Sequence, residues 1–362
     1  MSEHATRRAV LWRTAEVPGG TALALSRIAL AILLAGFALA TVVGFDLSLR
    51  VQAAVYLFGM VAMNLPHGGF EHFDNLRRRS ASFQLRYVGL YLGSIAGFVA
   101  LLFVAPVAGL ALALGVAIAK GGHGGLHVMD ATYGTDHLQT RPQRALAALV
   151  RGGAVMCVPI VAFPETFHTF SALMVDIFEP GGLAAVSQYF PLTRQLIGVG
   201  FGGLAIAHLA LGYVRSAGTG SYVADAAETL LLVAYFAVVP VVVAVGLYFP
   251  LWYSLRQVAR TTAVTSDPAA DGEETADGLL TILDSDDTRL VALGAWGVLV
   301  AGSVATFGLA ALLWLLSPQP LGGGGYLLGG VAFWSIFVSI IALPHVVIGS
   351  WFDRERGIWY VP

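Results

Sequence analysis

"ALALSRIALAILLAGFALATVVGF", residues 22–45, decides the fold. A bilayer's hydrocarbon core is roughly 30 Å thick, and about 20 apolar residues cross it as one helix. This stretch is long enough. It follows MSEHATRRAVLWRT, whose Arg7, Arg8 and Arg13 look like the charged start of a secretory signal. The apolar run is too long for a cleaved signal core, so it reads as an uncleaved first span.

The rest of the chain repeats the pattern. The 362 residues are 57% hydrophobic and only 12% charged, with mean hydropathy +0.76. Soluble domains carry about 25% charged residues. The runs are continuous rather than alternating, which excludes a membrane β-barrel. The expected fold class is therefore all-α: a polytopic integral membrane helix bundle of about eight to nine transmembrane helices, a single membrane domain over 1–362. Candidate spans are 22–45, 51–66, 86–105, 106–122, 147–163, 195–215, 227–253, 290–317 and 325–349. Residues 164–194 stay open between an external loop, a re-entrant segment and a short extra pass.

Residues 261–288 hold eight acidic residues and no basic one, and read as a flexible loop. A net charge of −2 leaves no basic footprint for nucleic acid. Acidic loops with a single lysine, Lys120, suit a halophile by composition. Cys157 is the only cysteine, so any metal site must use His, Asp, Glu or Tyr. Arg77, Arg78, Arg79 and Arg86 follow the second span, and Arg141, Arg144 and Arg151 follow the fourth. Both loops are expected in the cytoplasm of a cell-membrane protein, with the N-terminus on the same side.

Polar residues gather where spans end. Leu65-Pro66-His67 closes the second span, with Glu71, His72 and Asp74 just after it. "GGHGGLHVMDATYGTDH", residues 121–137, closes the fourth. Leu343-Pro344-His345 closes the last. Under this topology His67 and His123 emerge on one side of the bundle. His123 and His127 are four apart, one face of a helix and a metal-ligand spacing, although the four flanking glycines weaken the helix. Glu71 lies four after His67 and could orient it. Each Pro-His pair is also readable as simple helix termination. His72, Asp130, Asp136 and His137 read as loop or supporting groups, His208 as a helix-to-helix hydrogen bond, and His4 and His168 as solvent-facing. No GxSxG, P-loop or dinucleotide fingerprint occurs. Imidazoles in an apolar pocket suit a divalent metal such as iron, zinc or copper. A proton-relaying transporter would need acidic residues within spans, and few are found there.

The order and spacing of Leu65-Pro66-His67-Gly68, His123-Gly124-Gly125, "AYFAVVPVVVAVGLYFPLWYSLRQ" (234–257) and Leu343-Pro344-His345, with Trp351 and Asp353 after it, resemble the Brp/Blh family of β-carotene 15,15'-dioxygenases, in its haloarchaeal branch. That resemblance implies a membrane enzyme holding Fe(2+) by histidines alone, which uses O₂ to cleave β-carotene into two retinals for microbial opsins. It implies iron ligands at His67 and His123, and a Pro-His position near the site at His345. The family's Trp-His-Ser-x-Arg-His element corresponds here to Trp252-Tyr253-Ser254-Leu255-Arg256-Gln257. Tyr253 and Gln257 thus stand at two expected histidine ligands. His127, His345 or Glu71 could rebuild the metal shell. The alternative is a non-catalytic paralogue that binds carotenoid or retinal and helps load an opsin.

Overall fold

The computed structural model describes residues 19–64, 81–216, 220–265 and 288–349. They form one helical bundle. Helix α1 is Gly20–Val42, and α2 is Leu49–Leu57, continued by a π-helical turn, π1, at Phe58–Asn64. Then come α3 (Ala81–Val104), α4 (Pro106–Thr132), α5 (Arg141–Ala162), α6 (Pro164–Asp176) and α7 (Phe190–Ser216). Helix α8 (Gly220–Val238) precedes α9 (Val241–Tyr248), which runs through π2 (Phe249–Ser254) into α10 (Leu255–Thr265). Helix α11 is Thr288–Leu316, and α12 (Gly325–Pro344) ends in π3 (His345–Gly349).

Among the described residues eight helices are long and apolar enough to cross a membrane, and Leu49–Met63 and Val300–Leu316 are shorter apolar helices. Large apolar side chains stay exposed along them, including Ile32, Leu39, Val199 and Ile206. Exposed apolar surface on this scale fits lipid contact. In α1, Leu23, Ser26 and Leu30 are buried while Ile32 and Leu39 face outward, a helical stripe turned to the bundle.

One expectation changes. Residues 227–253 are not one span. The apolar run breaks after Val238, because Pro240 has no N–H to continue the ladder and adopts an extended ψ of 131°. Tyr235 Oη donates to the Ala244 carbonyl at 3.0 Å and staples the resulting turn. Helices α8 and α9–α10 are therefore two antiparallel passes. Residues 164–194, left open between an external loop, a re-entrant segment and a short extra pass, begin with a short helix: α6 buries Phe167, Phe170 and Val175, and the chain then turns through Gly181, at φ 75°, and a 3₁₀ turn at Ala184–Tyr189 into α7. Of the acidic stretch 261–288, α10 takes residues to Thr265 and α11 starts at Thr288; the rest lies outside the described residues.

The glycines do not interrupt α4. Gly122 sits where α4 and α5 touch backbone to backbone: a Cβ on it would collide with the Ala148 carbonyl, and one on Gly152 of α5 with the Ile118 carbonyl. Each helical glycine costs about 1 kcal/mol relative to alanine. Close backbone packing of the small-residue kind used between membrane helices offsets that cost.

Candidate functional site

Among the described residues three π-helical turns occur at the polar span ends. π1 leads directly to Leu65-Pro66-His67, π2 contains Tyr253, and π3 begins at His345. Pro250 lies in the first turn of π2, and Pro344 immediately precedes π3. A wider turn re-aims side chains and is found mostly at functional sites. π1 packs against π2, and π3 packs against α3 and α4. His67 and Glu71, with His4, His72 and Asp74, lie outside the described residues.

One face of α4 carries Lys120, Gly124 and His127, spaced as one helical stripe. Facing it are Tyr253, Gln257 and Arg260, spaced in the same way. A Cβ on Gly124 would come to 2.6 Å from Tyr253 Cε2 and 3.0 Å from Gln257 Nε2. Lys120 Nζ lies 5.2 Å from the centre of the Tyr253 ring. The His123 and His127 rings are 6.2 Å apart and nearly perpendicular. His123 is exposed, His127 and His345 are half-buried, and Gln257 is buried. The structure thus brings Tyr253 and Gln257 onto the α4 segment that carries His123 and His127, and packs the turn bearing His345 against the same helix.

Beside this stripe is an apolar cavity of about 110 Å³. Lys120, Ala113, Phe167, Phe170, Val242 and Phe249 are among its walls. Tyr56 and Ser335 also line it, their oxygens 2.6 Å apart. Ser335 donates its own proton to the Val331 carbonyl at 2.7 Å, so the Tyr56 hydroxyl is the donor between them.

The sequence reading missed a buried ionic cluster next door. Glu228 Oε1 accepts from Arg27 Nε and Nη2 (2.9 and 2.7 Å) and from Arg256 Nη1 (2.7 Å). Its Oε2 accepts from Arg151 Nη2 (2.5 Å), Arg256 Nη2 (2.8 Å) and Tyr133 Oη (2.6 Å). Asp225 Oδ1 accepts from Arg151 Nη1 at 2.6 Å. Its Oδ2 accepts from His137 Nε2 at 2.9 Å and lies 3.0 Å from His208 Nε2. Four helices, α1, α5, α7 and α10, and the turn after α4 are tied to two carboxylates on α8. Tyr133, just past the end of α4, has its phenol held above the ordinary tyrosine range, by burial first and the Glu228 carboxylate second.

His208 makes the interhelical bond expected of it. His137, in the turn after α4, is fully buried and supports Asp225. Asp130 pairs with Arg144. His168 is not solvent-facing: it lies 3.2 Å from Ser187 Oγ and packs on Phe190. A signal for the cluster existed. Arg27 and Arg151 lie inside candidate spans, and a charge within a membrane needs a partner; Glu228 lies at the start of the span drawn from 227, and Asp225 just before it. The cluster also bears on the stripe. Arg256 lies between Tyr253 and Gln257 in sequence and stacks 4.5 Å over the Trp252 ring, so Glu228 fixes the rotation of the helix that presents both.

The described donors do not fit a ferrous ion. Among the described residues no group of three His, Cys, Asp or Glu side chains is arranged to hold a metal ion. Tyr253 and Gln257 offer a phenol and a carboxamide where imidazoles are implied. Lys120 brings an ammonium to the Tyr253 ring, and Arg260 acts electrostatically on His127.

The fold and site define a multi-pass helical membrane protein with an apolar cavity that has Lys120 of α4 in its wall. The chain belongs to the β-carotene 15,15'-dioxygenase family, which it matches over residues 58–353. It is 63% identical over 351 residues, 97% of each chain, to the probable β-carotene 15,15'-dioxygenase Brp of Halobacterium salinarum strain R1, and equally to that of strain NRC-1. It is 33% identical over 345 residues, 93% of each chain, to the probable β-carotene 15,15'-dioxygenase Blh of strain NRC-1. No solved structure matches it.

Proposed function

We propose that this chain takes β-carotene from the lipid bilayer into the apolar cavity and cleaves its central double bond with O₂, giving two retinals for a microbial opsin. The cavity is the observation that carries the reading: its walls are nearly all apolar, and it reaches the α4 stripe at Lys120. Aromatic walls at Phe167, Phe170 and Phe249 suit one segment of a rigid polyene, since about 110 Å³ is less than the whole molecule fills. Tyr56 and Ser335 satisfy each other and the α12 backbone, so they admit an apolar ligand without leaving a buried polar group unpaired. The cavity's part is to orient the double bond and exclude water.

Fe(2+) is the cofactor implied by the family, and it would supply O₂ activation. In this reading it draws on His67 and His123, with Tyr253 and Gln257 at the remaining positions and Glu71, His127 or His345 in support. No step is assigned through it, because the described donors do not hold it. The same Tyr253 and Gln257 positions favour a second reading, a carotenoid- or retinal-binding partner of an opsin. The N-terminus is proposed to be cytoplasmic, on the arginine-rich side.

Iron per protein, by elemental analysis of detergent-purified wild type and His67→Ala, separates the two when paired with retinoid extraction from β-carotene-producing cells. Retinal formation with iron that falls in the variant supports cleavage. Co-purifying carotenoid without iron or retinal supports the binding reading and overturns cleavage.

A further inference from the structure

Lys120 is the only lysine in 362 residues, and its position is unusual. It is on the wall of the apolar cavity, on α4, with Nζ 5.2 Å from the centre of the Tyr253 ring. An ammonium over an aromatic face is held by cation–π attraction, and the long stem of lysine can lie along apolar surface while its nitrogen reaches the polar end. The Tyr253 ring is itself fixed from the other side, against Gly124, where any side chain would strike it. The amine is thus placed where the cavity meets the histidine-bearing stripe. The cavity hydroxyls of Ser335 and Ser339 are committed to carbonyls of their own helix, at 2.7 and 2.9 Å.

A primary amine on the wall of such a cavity has a defined chemistry toward carbonyl ligands, which is imine formation. We propose that Lys120 captures a long polyene aldehyde, the retinal class, as a Schiff base within the cavity. The proposal rests on the reading that the cavity accommodates a carotenoid or its aldehyde fragment. In the step, the Lys120 ammonium first gives a proton to water, the resulting amine attacks the aldehyde carbon, and the carbonyl π pair moves to oxygen. The carbinolamine then loses that oxygen as water while the nitrogen loses both of its protons to it. The product is a neutral C=N bond. No oxidant or reductant is needed, and hydrolysis by one water reverses the step. The consequence for the protein is retention: an aldehyde that would otherwise partition into lipid is held until water, or a receiving amine on another protein, exchanges it.

The test supplies all-trans-retinal directly to the purified full-length protein in detergent, with no β-carotene, so cleavage plays no part. Sodium cyanoborohydride traps any imine as a secondary amine, and peptide mass spectrometry locates it. Lys120→Arg and Lys120→Met are treated in parallel after gel filtration shows both to be folded. Retinal retention is read separately by co-elution without reductant. The expected result is one retinyl group on the peptide containing Lys120, lost in both variants and suppressed by prior loading with β-carotene. Retained retinal with no adduct at Lys120, or labelling equal in the variants through the N-terminal amine, overturns the Schiff base and leaves the cavity reading standing. Failure of the protein to retain retinal at all overturns both.

Discussion

Replacing Glu228 by glutamine changes one oxygen to an NH₂ group and nothing in size. Each carboxylate oxygen of Glu228 accepts three donors: Arg27 twice and Arg256 once at Oε1, and Arg151, Arg256 and Tyr133 at Oε2. Whichever way the amide turns, its NH₂ faces three donors and accepts from none. The cluster holds three guanidinium groups against two carboxylates; the variant leaves three against one. Breaking a buried ion pair by removing one partner costs about 3–5 kcal/mol, because the remaining charge stays buried. At about 2–4 °C per kcal/mol, Glu228→Gln is expected to lower the apparent melting temperature in detergent by roughly 10 °C. Glu165→Gln, in the exposed first turn of α6, is the control and should stay near wild type. The assay is loss of the monodisperse gel-filtration peak after heating. A Glu228→Gln protein as heat-resistant as the control would show that the ionic cluster does not hold the helices together.

Other expectations follow from contacts in the same bundle. Gly152→Ala sets a Cβ against the Ile118 carbonyl, whereas Gly89 has open space around it. The first should cost about 1–3 kcal/mol as overpacking and the second should be neutral or stabilising, as thermal unfolding of the two would show. The double variant Tyr253→His with Gln257→His restores two imidazoles four residues apart beside Gly124, and elemental analysis should find more iron per protein than in wild type. Ala117→Phe fills the cavity from its α4 wall and should weaken β-carotene binding about tenfold, about 1.4 kcal/mol, in a retention assay on folded protein.

Hydropathy made most of the passes legible, because bilayer thickness sets span length and few other forces compete. It did not show the break after Val238. The sequence from Val233 to Leu251 is apolar on both sides of Pro240, and a window average does not register a missing N–H. The candidate site was legible where proline and histidine mark span ends. The three π turns at those ends were not, since a π turn depends on packing between helices. Gly124 explains its part of the GGHGG pattern only once Tyr253 and Gln257 are seen against it. The ionic cluster joins Arg27, Arg151, Arg256 and Glu228 across more than two hundred positions, a pairing that no local pattern carries.

The most direct test of the central claim is the fate of β-carotene given to purified wild-type protein with ferrous iron and air, followed by chromatography of the extracted pigments. Cleavage at the central double bond predicts loss of β-carotene with two retinals formed for each molecule consumed and no longer aldehyde. β-Carotene that stays bound but intact, or aldehydes of unequal length, would contradict it.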